Sequence, residues 1–197
     1  MSNVLREAQL ADSPARRIVV PALLVALLAV SAWVSVPLGS VPLTLQVFVV
    51  VLTALLLTPR QAAATVAVYL LLGGIGAPVF SGGRGGLGLL LGPTGGYLIG
   101  FFFGAVAGAT LRARLRRSRV GEVRADMAAG FLALSIIYLF GWLQLALVTG
   151  LSMPEAFVAG VVPFLAVDVV KTLVAIGLAS TLRRTGVVSE QLGASAS

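Results

Sequence analysis

The chain has 197 residues, 58% of them hydrophobic and only 11% charged, with a mean hydropathy of +1.05 and a formal net charge of +7. A soluble domain carries about 25% charged residues, so the composition is that of an integral membrane protein with no room for a soluble catalytic domain beside its spans. The absence of cysteine and histidine removes disulfides, thiolate nucleophiles, haem ligation and His-based zinc or proton-relay sites, and no metal or cofactor is expected.

A helical span needs about 20 apolar residues, within ~17–25. Six segments meet that need. In chain order they run from Ile18 to Val36, Leu43 to Leu57, Gln61 to Ala77, Pro93 to Leu111, Ala125 to Thr149 and Pro154 to Leu182. The expected fold is an all-α membrane protein with six transmembrane helices. Residues 1–17 form an N-terminal segment, 18–182 the membrane domain and 183–197 a polar tail.

Charge sets the orientation. Arg6, Arg16 and Arg17 precede the first span, and Arg60 follows the second. Arg112, Arg114, Arg116, Arg117, Arg119 and Arg124 follow the fourth, and Arg183 and Arg184 follow the sixth. With six spans, 12 of the 14 Lys and Arg residues share one side. The positive-inside rule then puts both termini in the cytoplasm of a multi-pass cell (inner) membrane protein. A cleavable leader ending near Ala29–Ser31 would break this asymmetry. The positive charge marks topology and contact with anionic lipid, not a nucleic-acid partner.

Residues 81–93 are the glycine-rich centre of the chain. Gly83 to Gly88 match G-x-G-x-x-G, but no strand–turn–helix context is expected and the next acid is Glu122, so a dinucleotide fold is rejected. No Walker loop occurs either. Two readings fit the loop: an external connector, or a lid with Arg84 turned inward over a ligand. Gly92, Gly96, Gly100, Gly104 and Gly108 then form a small-residue stripe suited to close helix packing. Ala22, Ala26 and Ala29 form a weaker one on the first span.

Gln46, Tyr97, Tyr138, Trp142 and Gln144 are the polar or half-polar side chains at membrane depth. An amide in hydrocarbon needs a partner from the bundle or from a ligand. Asp168 and Lys171 are the only ionisable residues of the apolar run 156–181. A charge at that depth costs ~2.5–3.5 kcal/mol on insertion scales. Their spacing of three puts both on one helix face. They either neutralise each other, or address different parts of one small molecule. Catalytic residues are not expected: Asp126 lies at a different depth from Asp168, and no histidine can activate a serine.

Four strings resemble the BioY family, the biotin-specific substrate-binding (S) subunits of energy-coupling factor (ECF) transporters. They are VPLTLQV at 41–47, APVFSGGR at 77–84, LGPTGGYLIGF at 91–101 and PFLAVDVVKT at 163–172. Ala166 and Val167 depart from the pattern, which commonly has a glycine there. The resemblance implies a six-helix, non-enzymatic subunit that binds biotin from the outer side. It also implies partners: a transmembrane coupling subunit contacted through Ala22 and Ala26, and a pair of ABC ATPases. The implied ligand set is Asp168 and Lys171 with Arg84, Gln46, Tyr97 and Tyr138. A self-sufficient small-molecule carrier or channel gated by the Asp168–Lys171 pair is the alternative.

Overall fold

A computed structural model describes residues 14–39, 41–118 and 120–185. Arg6, Arg119 and the tail beyond Thr185 lie outside the described residues. In chain order come α1 (Pro14–Trp33), β1 (Ser35–Leu38), β2 (Val41–Thr44), α2 (Gln46–Leu56) and α3 (Pro59–Gly74). Then follow α4 (Leu87–Leu91), α5 (Gly95–Arg117), α6 (Glu122–Thr149), α7 (Met153–Gly160) and α8 (Val162–Arg184). Among the described residues, α5, α6 and α8 are long and apolar enough to cross a membrane; Ile18–Trp33 and α2 are apolar but shorter.

The helical expectation misses a hairpin. β1 and β2 pair antiparallel with Val36 opposite Leu43, Pro37 opposite Pro42 and Leu38 opposite Val41. Its signal is a repeated string, SVPL at 35–38 and again at 40–43. Proline resists helix, and Gly39 at φ 65° opens the two-residue turn. The pair beside such a turn exchanges ladder bonds and the next pair does not. The two prolines occupy that next pair, where no N–H is needed. The hairpin takes the end of the first expected span and the start of the second. What remains of the second is α2, 11 residues long, which rises only about 16 Å.

The other boundaries have local causes. A capping box between Thr58 and Gln61, with Pro59 in the first turn, starts α3 directly after α2. A second box, Ser152 with Glu155, starts α7. The sixth expected span is not continuous. It breaks at Val161 (φ −119°, ψ −53°), because Pro163 lies in the first turn of α8 and a proline cannot donate back into a preceding helical turn.

The glycine stripe is spent on packing inside the bundle. A Cβ on Gly96 would lie 2.2 Å from the Phe140 carbonyl oxygen, one on Gly104 2.8 Å from that of Ala133, and one on Gly108 2.9 Å from that of Ala129. The stripe on α5 thus lies against the α6 backbone turn by turn. Gly92 precedes α5 and does not join it.

Far from the hairpin, a buried ion cluster ties the helix ends together. Arg112 Nε donates to Asp126 Oδ1 at 2.7 Å, Arg183 Nε to Glu122 Oε1 at 3.0 Å, and Arg183 Nη2 to Asp126 Oδ2. Arg183 Nη1 also reaches the Leu55 carbonyl at 3.3 Å. Arg112 is 3% exposed and Asp126 1%. Arg112 and Arg183 are therefore internal cross-links of α2, α5, α6 and α8, not lipid-facing charges.

Candidate ligand-binding site

At the hairpin end the bundle opens into a cavity with about 640 Å3 of empty space, part of it open to solvent. Phe80, Leu89, Phe101, Ile137 and Phe164 make its apolar walls. The polar lining is Thr44, Gln46, Tyr97, Tyr138 and Asp168, with Ser81, Arg84 and Thr94 beside them. Residues from β2, α2, α5, α6, α8 and the loop before α4 therefore converge on one space.

Asp168 is the acidic group of that lining. Its Oδ1 accepts from Lys171 Nζ at 2.7 Å and its Oδ2 from the Tyr138 hydroxyl at 2.7 Å. Lys171 also donates to the Thr44 carbonyl at 2.6 Å, which pins the end of β2 to α8. Asp168 is 3% exposed and Lys171 9%. A buried ion pair is tolerable when further hydrogen bonds satisfy both partners, and these two supply them. Lys171 is not part of the lining; it stands behind the carboxylate.

Gln46 is buried and joins another polar chain. Thr44 Oγ1 donates to Gln46 Oε1 at 3.1 Å, Gln46 Nε2 donates to the Tyr69 hydroxyl, and that hydroxyl donates to the Val79 carbonyl at 2.9 Å. Tyr97 donates to the Gly160 carbonyl at 2.7 Å, directly at the α7–α8 break. Its ring is clasped by glycine: a Cβ on Gly141 would lie 2.3 Å from it.

The glycine-rich loop is a sewn-down wall rather than a loose connector. Phe80 and Arg84 bridge antiparallel around Gly82 and Gly83, both at positive φ. The Gly82 N–H donates to the Ala32 carbonyl at 3.2 Å, the Trp33 indole to the Pro78 carbonyl at 3.1 Å, and the Ser35 and Ser81 hydroxyls lie 2.9 Å apart. Arg84 borders the cavity but stays exposed, its Nε donating to the Ser81 carbonyl at 3.1 Å.

A family model described as the BioY family matches residues 3–187. The chain belongs to the BioY family. It is 42% identical to a probable biotin transporter BioY of Pyrococcus horikoshii, over 86% of this chain and 97% of that one. It is 40% identical to the biotin transporter BioY of Thermotoga maritima, over 86% and 96%. Among solved structures it is similar to the S-component for biotin from an ECF-type ABC transporter, with TM-score 0.81 and 22% identity over 86% of this chain and 92% of that one. At that identity the likeness establishes the fold. The relatives are named as transporters, and this BioY chain is a transport protein, not an enzyme.

Of the residues singled out from the sequence, the BioY fold brings Asp168, Gln46, Tyr97, Tyr138 and Arg84 to one cavity, with Lys171 one bond behind. It does not bring Trp142 there. That indole donates to the Met153 carbonyl at 2.8 Å and packs edge-on against Phe157. Gln144 anchors the α4 segment instead, donating to the Leu90 and Gly92 carbonyls at 2.8 and 2.9 Å. Sequence reading missed Phe80, Phe101, Phe164 and Tyr69, because a buried aromatic in an apolar run looks the same whether it faces a cavity or its neighbours. Ala22 and Ala26 are exposed, so no part of the described chain covers them.

Proposed function

We propose that the chain is the high-affinity biotin-binding subunit of an ECF-type uptake transporter. It captures biotin from the outer side and delivers it through a transmembrane coupling subunit and a pair of ABC ATPases. In this reading the polypeptide crosses the cell (inner) membrane six times with both termini in the cytoplasm. The hairpin and the short helix α2 together make one crossing, and α7 with α8 another. The sorting of basic residues supports this orientation. Exposed Ala22 and Ala26 are the contact with the coupling subunit, small enough to let a partner helix approach closely.

The observation that carries the reading is a buried carboxylate lining a cavity with aromatic and aliphatic walls. Biotin offers two ureido N–H donors, one ureido oxygen, an apolar thioether ring and a terminal carboxylate. Asp168 accepts from the ureido N–H groups, oriented by its hydrogen bonds from Lys171 and Tyr138. The aromatic walls enclose the ring and the aliphatic tail. Arg84, at the border of the cavity, meets the carboxylate. Nanomolar capture needs about −12 kcal/mol. Over biotin's roughly 16 heavy atoms that is about −0.8 kcal/mol each, within the ceiling of about −1.5 for the best small ligands.

Two measurements test the proposal. Titration calorimetry of the purified protein with biotin should give a saturable site of nanomolar dissociation constant; no heat at micromolar protein removes biotin as the ligand. In vesicles, uptake should require the coupling subunit, the ATPases and ATP. Uptake by the chain alone would instead establish a self-sufficient carrier.

A further inference from the structure

Tyr69 lies on α3, fully buried and edge-on to Phe80 with ring centroids 5.6 Å apart. It does not line the cavity, yet it dictates what the cavity offers. A tyrosine hydroxyl has one proton. Here that proton goes to the Val79 carbonyl oxygen at 2.9 Å, an atom that can only accept. The Tyr69 oxygen is left to accept, so the end of the Gln46 amide facing it must be Nε2. The other end of the chain agrees. Thr44 Oγ1 accepts the Gln46 backbone N–H at 3.3 Å, which frees its own proton for Gln46 Oε1 at 3.1 Å. The orientation of a side-chain amide is decided by its hydrogen-bond network. This network has one consistent direction, anchored by a backbone carbonyl that cannot reverse.

Gln46 itself lines the cavity. Its oxygen is committed to Thr44, and one of its two amide hydrogens to Tyr69. The other hydrogen is what remains for a guest. We infer that Tyr69 is a positioning residue that sets ligand specificity: it holds the Gln46 amide with a donor toward the cavity, so the guest atom taken there must be a hydrogen-bond acceptor. The inference rests on the biotin reading, in which that atom is the ureido oxygen. Gln46 and Asp168 serve one corner of the cavity, because Lys171 bonds both Asp168 and the Thr44 carbonyl two residues from Gln46. A donor beside a carboxylate acceptor complements the oxygen and N–H edge of a cyclic urea. Tyrosine is needed because phenylalanine in its place leaves the amide free to turn over and offer its oxygen.

The test compares biotin with 2-iminobiotin, which at neutral pH carries a guanidinium N–H where biotin has its carbonyl oxygen. Both are titrated calorimetrically into the full chain and into Tyr69→Phe. The wild type should prefer biotin by about a hundredfold or more, as polar sites reject analogues that leave their groups unpaired. In Tyr69→Phe that preference should shrink by about tenfold or more, the worth of one matched polar contact. A preference unchanged in Tyr69→Phe, with both affinities lowered together, would reduce Tyr69 to a packing residue and overturn the inference. If the variant does not fold, the wild type still decides: equal or tighter binding of 2-iminobiotin means that Gln46 does not present a donor. Binding of neither compound to the wild type is a different result and sinks the biotin reading itself.

Discussion

At the scale of single residues, the proposed site turns on Asp168 and on what holds its carboxylate in place. Lys171 and Tyr138 each give it a hydrogen bond at 2.7 Å. Asp168→Asn and Lys171→Ala should each weaken biotin binding by about 2 kcal/mol or more, roughly thirtyfold in the dissociation constant by calorimetry. The two variants should differ in stability. Lys171→Ala strands a buried carboxylate, at a cost of about 3–5 kcal/mol, and should lower the melting temperature in detergent. Adding Asp168→Asn to it removes the stranded charge, so the double variant should regain thermal stability without regaining affinity. Unchanged affinity in both single variants would take the pair out of the site. That these two residues stand apart was legible in the sequence, since ionisable groups are rare in so apolar a run. Their division of labour was not. Spacing put both on one face, and only the three-dimensional path of β2 shows that Lys171 spends its second bond on the Thr44 carbonyl.

Elements carry the next level of constraint. Gly100 and Gly104 allow the α5 and α6 backbones to touch; a Cβ at Gly100 would meet the Ile137 Cα at 2.9 Å. Backbone cannot yield as a side-chain tip can. Gly104→Leu should therefore destabilise the protein by about 1–3 kcal/mol or more, read as a lower melting temperature, with biotin affinity falling only as far as the cavity walls shift. A variant as stable as the wild type would mean that the helices are not in contact there. The stripe was legible because its period is that of one helix face. The β1–β2 hairpin between α1 and α2 was not legible from hydropathy, although the doubled SVPL string signals it. Hydropathy measures apolarity, and an apolar strand scores like an apolar helix. The α7–α8 break escaped for a related reason: Pro163 can begin a helix or interrupt one, and its position alone does not say which.

For the whole molecule, the two ends of the bundle differ in kind. One end holds an open cavity; the other is locked by Arg112, Asp126, Glu122 and Arg183. About 22 Å of α8 separates Asp168 from Arg183. Asp126→Ala should leave two buried guanidinium groups without their shared carboxylate and destabilise the fold by about 3–5 kcal/mol. Thermal unfolding in detergent measures this, and a neutral outcome would show that the cluster is hydrated rather than buried. The exposed alanine face of α1 makes the opposite kind of prediction. Ala22→Trp and Ala26→Trp should abolish co-purification with the coupling subunit while biotin still binds. Retained assembly in both would place that contact elsewhere.

The sequence by itself determined that the protein lives in a membrane, carries no cysteine or histidine, and has one oppositely charged pair within an apolar run. These follow from composition and from the high cost of charge in hydrocarbon, neither of which needs coordinates. It also determined the family, because four strings carry a specific pattern. Only the tertiary structure decided which polar groups share a space, which aromatics face it, and that Arg112 and Arg183 turn inward. Those facts depend on contacts between residues far apart in the chain. Tyr69 is the plainest case: nothing local to it shows that its one proton, given to Val79, sets the polarity of an amide 23 residues away.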